Sequence, residues 1–176
     1  MDIHILGLNH QIQSTRIGSS STGGELERFE RGQKEQFDIL LQKKIDEFAV
    51  EFVGEEARHG WDSIAHAVCV AKDCRYANIE IPPDERAARR IPTDYESNAD
   101  FSQVDKMRFH EQREDFMYQE AINEAGNAKC ILVICGRFHT PRIGRKFRDA
   151  GHTVYEEDIQ REAWYVEDWM THMMRL

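Results

Sequence analysis

The chain has 176 residues, 40% of them hydrophobic and 31% charged, which suits one domain able to bury a core without disulfides or a structural metal. An excess of 32 acidic over 23 basic residues gives a net charge of −9 and disfavours bulk nucleic acid or an anionic membrane surface as partner. No apolar run reaches the roughly 18 residues of a membrane helix, and MDIHILGLNHQ lacks the basic start of a secretory leader, so the cytoplasm is the expected compartment.

In chain order, residues 2–8 (DIHILGL) read as a buried strand. Residues 13–24, rich in Ser, Gly and Thr without apolar period, predict a mobile loop. From about Lys34, the spacing of Phe37, Leu40, Leu41, Ile45 and Phe48 predicts a helix. Residues 49–54 (AVEFVG) predict a strand ending at Glu55-Glu56, and residues 61–74 a helix with Asp62 or Ser63 as N-cap. A short strand over 76–81 stops at Pro82-Pro83, and 84–100 reads as a short helix and a loop. A long helix runs from about Ser102 to Ala125, followed by the strand CILVIC at 130–135. Thr140 is placed to cap a helix over 141–150, with Pro141 in its first turn and Gly151 beyond its end. A strand over 152–158 and an amphipathic helix over 159–174 complete the chain.

Continuous apolar strands alternating with amphipathic helices predict one α/β domain over residues 1–176, a mostly parallel sheet with helices on both faces. Such sheets place ligands at the carboxyl ends of their strands. Two of those ends share a layout, an apolar run followed by Gly-x-x-His: GLNH at 7–10 and GRFH at 136–139. Glycine permits close backbone approach there, and imidazoles from two strands can converge on one divalent ion. Glu55 and Glu56 end a third strand. Strand alternation lets at most one face a shared site, and the sequence leaves open which. A carboxylate beside two imidazoles suits Zn, Mn or Co and can act as a general base. Arg113 and Met117 lie on one face of the long helix, with Met107, His110 and Ala121 along the same side, so Arg113 is a candidate for binding or stabilising negative charge. The remaining histidines, 4, 59, 66, 110, 152 and 172, lack the strand-end context and read as structural. In the cytoplasm Cys69, Cys74, Cys130 and Cys135 are expected to be reduced thiols, and the five-residue spacing of the pairs, which on a strand puts side chains on opposite faces, argues against a zinc site.

On GLNH (7–10), FVGEEA (52–57), REDFM (113–117) and VICGRFHTPRIGRKFRDAGHTV (133–154), the chain resembles the TraB/TIKI group of the erythromycin-esterase/ChaN-like superfamily. DERAARRI (84–91) loosely resembles the Asp- and Arg-rich segment such proteins carry after the third strand. The resemblance implies an α/β fold with a cleft holding His10, Glu55 or Glu56, Arg113 and His139. Relatives include metal-dependent proteases, esterases and haem-associated lipoproteins, and no substrate carries over.

The expectation is a metal-dependent hydrolase, with His10, His139 and Glu55 or Glu56 around a Zn, Mn or Co ion. Metal-free chemistry with one His as general base is an alternative in the same site. Arg137 and Arg142, in a basic cluster at the start of the 141–150 helix, are candidates for binding an anionic group of a small-molecule or peptide substrate. The alternative class is a non-catalytic module that binds a small ligand in the same cleft. The apolar stripe near the C-terminus would suit a homo-oligomer interface.

Overall fold

The computed structural model describes residues 1–8, 12–13, 24–60 and 62–165. Among these, five strands form one all-parallel sheet and five helices cover its two faces. The strands are β1 (Asp2–Leu8), β2 (Phe52–Glu55), β3 (Arg75–Asn78), β4 (Cys130–Gly136) and β5 (Thr153–Asp158). Their order across the sheet is β3-β2-β4-β1-β5. The helices are α1 (Gly24–Phe48), α2 (Ile64–Ala71), α3 (Pro83–Ala88), α4 (Gln103–Ala125) and α5 (Thr140–Asp149). No helix among the described residues is long and apolar enough to cross a membrane.

Strand alternation divides the core in two. Leu6, Leu132, Ile134 and Val53 point toward α1 and α2 and pack with Phe37, Leu41 and Val68. Ile3, Ile5, Ile131 and Val133 point the other way and pack with Met117, Ala121, Ile143 and Phe147 of α4 and α5. Cys130 and Cys135 fall in different clusters, as their spacing requires, and all four cysteines are free thiols. A third cluster, Ile81, Ile91, Tyr95 and Phe109, pins the segment after α3 against α4 beyond the strand ends.

The adjacent strands β2 and β4 send their chains to opposite faces, to α2 and α5. This makes a crevice between them at their carboxyl ends, the place where such sheets bind ligands.

Several boundaries differ from the sequence reading. α1 begins at Gly24, about ten residues before Lys34. Its first turns are polar, so apolar periodicity cannot reveal them, and the Glu27–Arg31 pair at 2.9 Å supports the helix instead. Of the expected 13–24 loop, Gln13 is buried and Gly24 is helical, and 14–23 lie outside the described residues. β2 starts at Phe52 because Ala49 closes α1 with a positive φ of 50°. α2 begins at Ile64, with Ser63 as N-cap accepting from the His66 N–H. β3 stops at Asn78, which pairs with Glu55, the last residue of β2. His139, rather than Thr140, occupies the N-cap position of α5. The expected helix over 159–174 begins as a 3-10 turn, Ile159–Arg161, and Glu162 is extended. Residues 166–176, and with them most of the apolar stripe expected at an interface, lie outside the described residues.

Candidate metal centre

Glu55, the last residue of β2, and Glu56, the next, part to opposite faces, as alternation demands. Glu55, expected beside His139 as a metal ligand, faces the side covered by α1 and α2. Its fully buried carboxylate accepts hydrogen bonds from Gln13 Nε2 at 2.9 Å, Tyr76 Oη at 2.7 Å and Ser63 Oγ. Burial first, then the charge of Glu55, pushes the Tyr76 hydroxyl far above the ordinary tyrosine value. Glu56 faces the α4–α5 side. Its Oε2 accepts the Gly136 N–H at 2.8 Å, and its Oε1 accepts from Arg113 Nη2 at 2.7 Å and stands 3.6 Å from His139 Nε2.

Arg113 is the hub. A guanidinium has five N–H groups, and five contacts are made. Nε and Nη2 reach Glu80 at 3.3 and 2.7 Å, Nη2 also reaches Glu56, and Nη1 reaches Tyr95 Oη at 3.1 Å and Glu96 Oε1 at 3.0 Å. Arg86 adds a second guanidinium to Glu80 at 2.7 Å. The carboxylates are brought from three separate stretches of chain, after β2, after β3 and after α3, and one residue of α4 collects them.

On α4, His110, Arg113, Glu114 and Met117 share the inward face at i, i+3, i+4 and i+7. Glu114 is fully buried, and its Oε1 sits 2.9 Å from His139 Nδ1 and 3.2 Å from Arg142 Nη1. His110 Nδ1 lies 2.9 Å from Tyr95 Oη. Burial pushes the Tyr95 hydroxyl up to about 12, and it also hydrogen-bonds Glu96. Tyr95 Oη accepts from Arg113 Nη1 and pairs with His110 Nδ1. Each imidazole thus has its Nδ1 held by a partner from another part of the chain, Glu114 for His139 and Tyr95 for His110.

The two rings face each other, with centroids 5.3 Å apart. Glu96, His110 and His139 each present a ligand atom within 4.8 Å of the others. Two imidazoles and a carboxylate are a donor set that suits Zn, Mn or Co. One buried oxygen, Glu114 Oε2, has no hydrogen-bond partner. Burial disfavours a charged His139, but the Glu114 hydrogen bond and the charge of Glu56 outweigh it and raise its pKa above the ordinary histidine value. Burial, and then the neighbouring His139, lower that of His110.

Of the residues singled out from the sequence, the structure brings Glu56, Arg113 and His139 together. β1 and β4 are adjacent, with Gly7 opposite Cys135 and Leu8 opposite Gly136, so the two Gly-x-x-His segments leave neighbouring strands. His10 itself lies outside the described residues. Arg142 reaches the site through Glu114. Arg137 lies with its guanidinium 5.0 Å from the Phe138 ring centroid and lines the same cleft. Further along α5, Lys146 pairs with Asp115 and Arg148 with Glu156, so the outer part of the basic cluster is neutralised by neighbouring acids.

His110, read from the sequence as structural, belongs to the candidate metal group. Its signal was available, since it lies three residues before Arg113 on one helix face. Glu80, Tyr95 and Glu96 had no such signal, because they lie in or beside irregular segments that reach the site only through tertiary packing. No protein-family model, curated protein or solved structure matches this chain.

Proposed function

We propose that this chain is a metal-dependent hydrolase acting on an anionic substrate, with a divalent ion held by Glu96, His110 and His139. The observation that carries the proposal is the pair of imidazoles whose Nδ1 atoms are held by Glu114 and Tyr95 and whose rings each bring a ligand atom within 4.8 Å of the other's and of the Glu96 carboxylate. Catalytic metal sites with three protein ligands follow this pattern, and their second partners orient the rings. An ion there supplies Lewis acidity and makes a nucleophile of water near neutral pH.

The chain's own residues take distinct roles. Glu56, 3.6 Å from His139 Nε2, is the carboxylate placed to take a proton from an attacking water. Arg113 is a positioning residue. All five of its N–H groups are committed, so it fixes Glu56, Glu80 and Glu96 instead of clamping a substrate. Lys106, Arg137 and Arg142 line the adjoining cleft of about 950 Å³ and attract the negative charge. The resemblance to the TraB/TIKI group supports hydrolysis and stays a proposal with it. Esters, peptides and phosphoesters all remain within this class.

A second reading, a binding module without turnover, is favoured by one observation: the full commitment of Arg113 leaves no guanidinium N–H for a transition state. Elemental analysis of protein purified without chelator, beside a His110→Ala/His139→Ala double variant, tests the metal. Near-stoichiometric Zn, Mn or Co in the wild type alone is expected. Failure of the wild type to bind any of the three ions by calorimetry overturns the proposal. Turnover of an ester, peptide or phosphoester panel that is lost with chelator and restored with ion separates enzyme from binder.

A further inference from the structure

A second cleft, of about 660 Å³, lies beside the first at the carboxyl ends of β2 and β3. The two clefts meet along Arg86, Thr93 and Arg113. Their linings differ in kind. Apart from Arg86 and Arg113, which line both clefts and are held by Glu56, Glu80 and Glu96, the first cleft has the cations Lys106, Arg137 and Arg142 against Asp94 and Glu96. The second balances three cations, Arg58, Arg86 and Arg113, with three carboxylates, Glu56, Asp62 and Glu80, and adds an apolar wall of Ala57, Ile81, Pro83, Ala87 and Ile91. Ile81 and Ile91 are buried in the small core that also holds Tyr95, so this wall is a fixed part of the fold.

A concave site with an apolar wall and a few convergent polar groups is what a small ligand's hydrocarbon part requires. A charge-balanced cleft gives no reason for the ionic end of a ligand to enter it, whereas the cationic cleft next door does. We propose that the substrate is an anionic amphiphile, its charged group in the cleft of Lys106 and Arg142 and its apolar tail in the cleft of Ala87 and Ile91. The position of the charged group rests on the function proposed above, and the tail cleft does not. The tail cleft selects among hydrolysable anions by the apolar surface they can bury, and peptides or esters lacking a tail gain nothing from it.

The test is titration calorimetry of metal-free protein with n-alkyl phosphates from butyl to decyl, below their micelle-forming concentrations. Affinity is expected to rise about fourfold per methylene until the cleft is full. Ala87→Trp, an exposed change on α3 that projects into the cleft, is expected to abolish that rise, and Ala88→Trp on the same helix is expected to leave it intact. n-Octylamine is expected to bind far more weakly than octyl phosphate. A flat series in the wild type, or a rise that survives Ala87→Trp, overturns the tail cleft. Equal binding of amine and phosphate overturns the anionic head. Because the series is read without metal, failure of the wild type to bind Zn, Mn or Co with the series intact overturns the hydrolase reading alone.

Discussion

Glu114 and His139, 25 residues apart, form a buried carboxylate–imidazole pair with Nδ1 2.9 Å from Oε1. The pair links α4 to the N-terminus of α5 and fixes the His139 ring, whose centroid lies 5.3 Å from that of His110. Orienting carboxylates of this kind typically contribute 10- to 100-fold to metal affinity. Glu114→Gln keeps the volume and removes the charge. It is expected to weaken Zn or Mn binding by about 10-fold or more, read by calorimetry, with little change in circular dichroism. Unchanged affinity would show that the pair is structural.

Arg113 separates stability from chemistry. Removing one partner from a buried ionic cluster leaves the others uncompensated and costs about 3–5 kcal/mol. Arg113→Ala strands Glu56 and Glu80, both buried, and is expected to lower the unfolding free energy measured by urea denaturation by that amount. Arg113→Lys is expected to recover little, because one ammonium cannot replace a planar fork that serves three carboxylates and a phenol. Full recovery by Lys would show that charge alone, and not the fork geometry, holds the cluster.

The neighbouring glutamates give the sharpest contrast. Glu56→Gln is expected to abolish turnover. Glu55→Gln, on the opposite face, is expected to lower stability by about 1–3 kcal/mol while metal stoichiometry stays unchanged. The measurements are turnover of the ester, peptide and phosphoester panel, denaturant midpoint and metal content of both variants. Loss of metal in Glu55→Gln would move the site to the other face.

That contrast also marks how far the sequence could be read. Alternation along β2 requires Glu55 and Glu56 to diverge, but which one faces α4 depends on which face α1 and α2 cover. That is a property of crossover direction, not of local pattern. Continuous apolar runs made β1 and β4 legible, and they made the parallel sheet legible too. His139 was found because it follows such a strand. Glu80, Tyr95 and Glu96 were not, because their positions are set by Ile81, Ile91 and Phe109 packing together beyond the strand ends. A polar side chain on irregular backbone has no period to betray it.

The raised pKa of His139 predicts a pH dependence for the metal-free protein. The folded state favours the charged ring more than the unfolded chain does, whose histidine titrates near 6.5. The stabilisation is therefore fully present below about pH 6.5 and is lost as pH rises through the folded value. His139→Gln is expected to remove this part of the pH profile, measured as denaturant midpoint between pH 5 and 8. A midpoint difference between wild type and variant that grows as pH rises would contradict the assignment.

Gly7 ties the strand to the site by close approach. A Cβ built there would lie 2.6 Å from Thr140 Oγ1 and 3.1 Å from the Arg137 Cα, below normal contact with the segment that carries His139. The backbone at Gly7 needs no positive φ, so the constraint is steric. Gly7→Ala must push residues 137–140 away from β1 and shift His139 relative to His110. It is expected to cost about 1–3 kcal/mol of stability, as overpacking does, and to weaken metal binding as well. Gly32, inside α1, has nothing within 4 Å of its built Cβ. Gly32→Ala is expected to stabilise by about 0.5–1 kcal/mol through helix propensity and to leave metal binding unchanged. Thermal denaturation and metal titration of the two variants decide the matter. A Gly7→Ala protein with wild-type metal affinity would mean that the strand end can yield without moving His139, and that the glycine serves packing alone.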